Sequence, residues 1–255
     1  MSVLDKFRLD GRKALVTGAS RGLGRAMAVA LAEAGADVAI TARAKDALAE
    51  TAAQIEKTGR KAFVIPCDVT DRQAITDCVA QARKDLGQID ILINNAGIGI
   101  VKLMQDISFD EWNQMLNVNL ASYFYFAQEV APEWLARGAG KLINIASIDG
   151  LIAESHTSPY CASKGGVIQL TKALAVEWAK QQINVNAIAP GYFLTEINES
   201  ALKDPVTGPL MVKRIPFRRW GEPEELGPLA VYLASPASDF MTGETVVIDG
   251  GQVAK

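Results

Sequence analysis

Apolar positions along the 255-residue chain alternate between two spacings. Short, mostly apolar runs at 13–17, 37–41, 61–66, 89–94, 141–146, 184–189 and 245–248 are rich in Val and Ile and too short for helices. Between them, 24–34, 45–58, 72–86, 109–137, 159–180 and 223–234 repeat apolar residues about every 3.6 positions or are rich in Ala and Leu, as helices do. The short runs are apolar on consecutive rather than alternate positions, which predicts strands covered on both faces. Seven parallel strands flanked by six helices follow, joined by right-handed crossovers into one doubly wound α/β domain over 1–255. No linker, repeat or low-complexity segment divides it. Residues 191–221, with Pro205, Gly208, Pro209 and Pro216, lack periodicity and are read as a lid. The ligand crevice of such a sheet lies beyond the carboxyl ends of its strands, so the loops after the strands are where chemistry is expected.

Composition narrows the partners. With 49% apolar and 22% charged residues and a net charge of -3, the chain offers neither a basic footprint for nucleic acid nor a polybasic patch for a membrane. No apolar run approaches the ~18 residues that span a bilayer, and the amino terminus lacks an apolar leader core, so a cytoplasmic protein is expected. Three cysteines, Cys67, Cys78 and Cys161, and the single histidine His156 indicate neither a disulfide framework nor a metal site.

Four strand ends carry the first group of motifs. The first strand runs into Thr17-Gly18-Ala19-Ser20-Arg21-Gly22-Leu23-Gly24 and then a helix, where glycines permit a tight turn and the helix start offers unpaired N–H groups to a pyrophosphate. The second ends Thr41-Ala42-Arg43, with no carboxylate for the ribose 2′-hydroxyl of NAD. Arg43 and Arg21 instead suit a 2′-phosphate, which predicts NADP(H) in preference to NAD(H). After the third strand, Asp68 in Cys67-Asp68-Val69-Thr70 would accept the adenine amino group or cap the following helix. After the fourth, Asn94-Asn95-Ala96-Gly97 is small enough for a cofactor to lie across it, and Asn95 would equally serve as a turn residue.

The second group lies between Ser147 and Lys164. Tyr160 and Lys164, four apart on a helix, stand on one face, where an ammonium would favour the phenolate and lower the Tyr160 pKa. Together these residues resemble the short-chain dehydrogenase/reductase family over nearly the whole chain: Thr17 to Gly24, Asp68-Val69, Asn94 to Gly97, Asn119, Ser147, Tyr160 with Lys164, and Pro190-Gly191 followed by Thr195. The resemblance implies a single Rossmann-like domain, a homotetramer, and hydride transfer between a nicotinamide and a carbonyl or alcohol carbon. It further implies that Tyr160 exchanges the proton, Lys164 binds the nicotinamide ribose, Ser147 holds the reacting oxygen and Asn119 supports a water chain. Pro190, Gly191, Phe193 and Thr195 would line the nicotinamide site.

Within that family the second half is most similar to sugar-acid dehydrogenases of the gluconate 5-dehydrogenase and 2-dehydro-3-deoxygluconate 5-dehydrogenase type. The similar stretches are Glu177-Trp178-Ala179-Lys180, the run from Asn184 to Phe193, Arg214-Ile215-Pro216 and Arg219-Trp220-Gly221. A polyhydroxy acid needs polar partners and a cation, and Ser147, Asp149, Glu154, His156, Tyr192, Asn198 and Lys102 are the candidates. Ile98, Ile100, Val101, Ile152, Tyr192, Phe193 and Leu194 would instead form an apolar pocket suited to 3-oxoacyl thioesters or hydrophobic ketones. A non-catalytic dinucleotide sensor is the alternative of another class, and the set Ser147, Tyr160 and Lys164 speaks against it.

Overall fold

The computed structural model describes residues 2–195 and 199–254. Seven strands form one parallel sheet: β1 (Lys13–Thr17), β2 (Asp37–Ala42), β3 (Ala62–Pro66), β4 (Ile91–Asn94), β5 (Gly140–Ile145), β6 (Ile183–Pro190) and β7 (Thr245–Ile248), in the order β3-β2-β1-β4-β5-β6-β7. The order reverses between β1 and β4, whose register sets Ala14 beside Ile91 and Val16 beside Ile93. The crevice opens at that switch.

Consecutive apolar residues are explained by two cores. Val16, Ile40, Ile93 and Ile145 face α1 (Gly22–Glu33) on one side of the sheet, while Leu15, Ala39, Leu92 and Leu142 face α3 (Arg72–Leu86) on the other. The remaining helices among the described residues are α2 (Ala49–Lys57), α4 (Phe109–Leu116), α5 (Ser122–Arg137), α6 (Ser158–Trp178), α7 (Glu199–Lys203), α8 (Thr207–Arg214) and α9 (Gly227–Ala234). None of the described helices is long and apolar enough to cross a membrane.

Three expectations change. The helix expected over 109–137 is interrupted, not at Pro132, but by a π turn at Asn117–Ala121, where the Ser122 N–H reaches back five residues to the Asn117 carbonyl. The helices expected over 45–58 and 223–234 begin as tight 3-10 turns, Asp46–Leu48 and Pro223–Leu226. The expected lid is not featureless, since α7 and α8 lie within it; both are too short for a periodic signal.

Candidate active site

A cleft of about 440 Å³ lies along the carboxyl ends of the central strands. Its floor at one end is the loop between β1 and α1. Gly18 adopts φ +64°, and a β-carbon there would come within 2.8 Å of the Ala96 backbone. One added at Gly24 would sit 2.3 Å from the Gly18 carbonyl, so the loop folds on itself in a way only glycine permits. Thr17 and Asn95 staple this loop to the turn after β4: the Thr17 hydroxyl accepts from the N–H groups of Asn95 and Ala96 (2.9 and 3.1 Å), and the Asn95 amide donates to the carbonyls of Thr17 and Gly18 (3.0 Å each). Arg21 precedes α1 without a side-chain cap, leaving the first N–H groups of that helix for an incoming anion. Such a cradle fits a dinucleotide pyrophosphate.

Ser20, Gly22, Leu23, Val69, Ala96, Gly97, Pro190, Gly191, Phe193 and Thr195 line the same cleft. Arg21 and Arg43 are exposed at its rim, with Ala42 beneath Arg43. Asp68 is not the cap of α3; Asp71 is, accepting from the N–H groups of Gln73 and Ala74. The Asp68 carboxylate accepts from the Thr70 N–H (2.9 Å) and hydroxyl (2.8 Å), bonds that hold its pKa below the ordinary carboxylate value, with Arg43 adding attraction. It therefore stays ionised at the rim.

At the opposite end, β5 delivers Ser147 and α6 delivers Tyr160 and Lys164, all three lining the cleft. The Ser147 hydroxyl accepts from the Asp149 N–H at 3.1 Å and faces the Tyr160 phenol across the cleft wall. Lys164 is buried; its ammonium donates to the Ile145 carbonyl at 2.7 Å and lies 5.7 Å from the centre of the Tyr160 ring. Helical spacing brings the pair together as expected, but the predicted electrostatics do not follow. Burial, the largest influence, pushes Tyr160 up to about 12 against the opposing influence of Ser147, and burial pushes Lys164 down to about 7. Desolvation penalises phenolate and ammonium alike, and with Lys164 held by a carbonyl its charge does not outweigh that penalty.

Tyr123, not singled out in the sequence, and the pairing of Asn119 with Ile98 complete this end. Tyr123 is buried, donates its hydroxyl to the Ile145 carbonyl at 3.2 Å, and sits 3.5 Å from the Lys164 nitrogen. Ile98 is held on both polar groups by the buried Asn119 side chain, whose oxygen accepts from the Ile98 N–H (2.8 Å) and whose amide donates to the Ile98 carbonyl (2.9 Å) and Ser163 hydroxyl (3.2 Å). Asn119 thus stands behind the cleft wall, clamping the loop after β4 to α6. No spacing in the sequence pointed toward Tyr123, because its place beside Lys164 comes from a contact across 41 residues.

The comparisons agree with this geometry. A family model described as enoyl-(acyl carrier protein) reductase matches residues 18–252. The chain is 41% identical to gluconate 5-dehydrogenase of Gluconobacter oxydans, with 98% of each chain covered. It is 40% identical to 2-dehydro-3-deoxy-D-gluconate 5-dehydrogenase of Dickeya dadantii over 99% of this chain and 100% of that one. The solved gluconate 5-dehydrogenase of Burkholderia cenocepacia, in complex with NADP and tartrate, superposes with a TM-score of 0.95 at 40% identity, with 100% of both chains covered. The chain belongs to the short-chain dehydrogenase/reductase family. It is an oxidoreductase.

The remaining candidates of this short-chain dehydrogenase/reductase lie beyond Ser147 and divide into three groups. Tyr192 donates its hydroxyl to Glu154 at 2.8 Å, Arg214 at the end of α8 ion-pairs with the same carboxylate, and the Tyr192 ring packs 5.9 Å from Trp220. Residues 192 and 214 of the expected lid are therefore tied to the loop after β5, and Arg214 adds a cation that was not among the candidates for a sugar-acid carboxylate. Asp149 is partly buried, and burial with the charge of Glu154 pushes its carboxyl up to about 6. His156 and Lys102 are exposed, Lys102 pairing with Glu111, and the Lys102 N–H donates to the His156 carbonyl at 2.9 Å. Asn198 lies outside the described residues. The apolar pocket is only partly assembled. Ile98 and Phe193 line the cleft, whereas Val101 is 76% and Ile152 44% exposed.

Proposed function

We propose that this enzyme is an NADP(H)-dependent oxidoreductase that interconverts a ketone and a secondary alcohol on a sugar acid. One observation carries the chemistry: Ser147, Tyr160 and Lys164 share one wall of a cleft whose other end is an uncapped helix start behind a glycine turn. Binding alone requires no proton donor there, which argues against a sensor. Gly18 to Gly24 would hold the pyrophosphate, Asp68 and Val69 the adenine side, and Lys164 the nicotinamide ribose. Arg21 and Arg43, at the rim where the ribose phosphate of a dinucleotide would lie, support NADP(H). Bound NADPH supplies the hydride to the carbonyl carbon, and NADP+ accepts it in the reverse direction.

Everything else is done by side chains. Tyr160, neutral at physiological pH because burial holds it at about 12, would donate its proton to the carbonyl oxygen, with the Ser147 hydroxyl steadying that oxygen. Loss of the proton creates a phenolate beside Lys164, and its charge favours the ammonium on a residue otherwise poised near 7. Asn119, by holding Ile98 and Ser163, keeps the two walls in register. In alcohol oxidation the same steps run backwards, with Tyr160 as base.

A sugar acid is supported by the polar residues beyond Ser147, by the exposure of Val101 and Ile152, and by what the relatives are named for. The test is a panel of 5-keto-D-gluconate, an acetoacetyl thioester and an aromatic ketone, each with NADPH and NADH, followed by loss of nicotinamide absorbance. Preferred turnover of 5-keto-D-gluconate with NADPH is expected, and Tyr160→Phe should lower it by roughly 10² to 10⁴. Preference for the thioester, or near-normal turnover by Tyr160→Phe, would overturn the proposal.

A further inference from the structure

Tyr123 is a buried polar side chain to which the reaction described above gives no part. It stands on α5, 1% exposed, and donates its hydroxyl proton to the Ile145 carbonyl at 3.2 Å. The Lys164 nitrogen donates to that same carbonyl at 2.7 Å and to the Tyr123 hydroxyl oxygen at 3.5 Å. A phenol has one proton to give, and with that proton on the carbonyl its oxygen meets Lys164 only as an acceptor. The carbonyl in turn has both lone pairs engaged, one by each side chain. Groups from β5, α5 and α6 thus close a small ring behind the cleft.

The ring leaves the ammonium one free donor. Of its three N–H groups, Ile145 takes one and Tyr123 another, and the third remains for the cleft that Lys164 lines. The nitrogen lies 5.3 Å from the centre of the Tyr123 ring and 5.7 Å from that of Tyr160, between the two phenols. An acceptor holds a charged donor about twice as strongly as a neutral one, so the Tyr123 oxygen favours ammonium over amine. Burial opposes it, pushing Lys164 down to about 7. Burial and the neighbouring Tyr160 raise Tyr123 well above the ordinary phenol value, which keeps its proton on the Ile145 carbonyl. The other ionisable groups on the surrounding elements are otherwise engaged. Asp149, in the turn after β5, bears on Tyr160; Lys141 on β5 pairs with Asp239, and Glu111 on α4 with Lys102. Neither β6 nor the π turn carries an ionisable side chain.

Building on the ketone–alcohol function proposed above, we infer that Tyr123 is a positioning residue for the reaction: its hydroxyl oxygen, held as an acceptor by the Ile145 carbonyl, keeps Lys164 charged and leaves one N–H of the ammonium for the cleft beside Tyr160. Tyr123 acts only through Lys164. Ketone reduction leaves a phenolate on Tyr160, which an adjacent ammonium stabilises and a neutral amine does not. Reduction therefore fails toward alkaline pH as Lys164 loses its proton, and Tyr123 sets how far the active range extends.

The experiment compares the wild type with Tyr123→Phe, which keeps the ring and removes only the hydroxyl. Single-turnover reduction of 5-keto-D-gluconate by bound NADPH is followed by nicotinamide absorbance across the pH range. The two profiles should run together on the acid side, where Lys164 is charged in both. The alkaline fall should begin roughly 0.5–1 pH unit lower in the variant, a loss of roughly 3- to 10-fold above it. An equal loss at every pH, which a purely structural role would give, or superimposable profiles overturn the assignment and leave the reductase intact. A second reading needs no substrate. Without the hydroxyl the folded lysine gives up its proton at lower pH while the unfolded one is unchanged, so the variant is further destabilised as pH falls. In urea, without nucleotide, the stability gap to the wild type should widen by ~0.7–1.4 kcal/mol from pH 9 to pH 5, the same shift expressed as free energy. A gap that does not change with pH overturns the assignment. A wild type that reduces no ketone with either cofactor overturns the function, and the urea measurement then decides whether Tyr123 holds the charge on Lys164.

Discussion

Burial of Lys164 has a consequence that can be measured on the protein without substrate. An unfolded lysine titrates near 10.4, whereas Lys164 in the folded cleft is pushed down to about 7. Between these values the unfolded chain binds a proton that the folded one does not, so the stability contributed by this residue rises with pH across that window and is level below and above it. From pH 7 to pH 9 the folded amine goes from half-protonated to bare, while the unfolded amine stays charged. Integrating the proton difference gives a gain of ~2 kcal/mol from Lys164 alone. Lys164→Met keeps most of the stem and removes the amine; the Ile145 carbonyl retains the Tyr123 hydroxyl as a donor. Urea unfolding of both proteins at pH 7, 8 and 9 without nucleotide, with sizing to confirm equal assembly, isolates the term, because every other titrating group is common to the two. The wild type should gain ~2 kcal/mol on the variant over that range. Parallel pH dependences would refute a desolvated Lys164, and with it the proton balance with Tyr160.

Two further outcomes probe the cofactor half. Gly24→Ala puts a methyl group against the Gly18 carbonyl and 2.4 Å from the Asn95 amide, both parts of the staple that shapes the loop. NADPH affinity, followed by quenching of tryptophan fluorescence, should fall at least about tenfold, with a stability loss of roughly 1–3 kcal/mol in urea; unaltered affinity would show that the loop does not cradle the phosphates. Arg43→Ala should lower kcat/KM with NADPH by roughly tenfold while changing the NADH value little, as expected when a charge-assisted phosphate contact is lost. An unchanged NADPH/NADH ratio contradicts NADP(H) selection at this residue.

Much of this protein was legible in its sequence because much of it is local. Runs such as Leu15-Val16 and Ile91-Leu92-Ile93 are apolar without alternation because adjacent residues feed the two separate cores, so the doubly wound sheet follows from pattern alone. The glycine turn, the arginine at the end of β2 and the Tyr160–Lys164 pair are set by short spacings and by the rule that parallel strands present their carboxyl ends to the ligand. The interruption at Asn117–Ala121 was hidden because one extra residue in a helical turn barely disturbs a 3.6-residue period.

Tertiary structure decided what those side chains experience. Tyr123, 41 residues before Lys164, meets it over one carbonyl, and Arg214 closes on Glu154 from 60 residues away, contacts that no local spacing encodes. Residue types alone predicted that an ammonium would lower the Tyr160 pKa; desolvation reversed the direction, because burial depends on everything packed around the pair. The same holds for Asp149, which in the sequence is one polar loop residue among several. The sequence by itself determined the fold, the cleft and which side chains meet in it along short spacings, whereas only the assembled protein decided their protonation and which distant side chains close on them, because burial and long-range contacts depend on the whole packing.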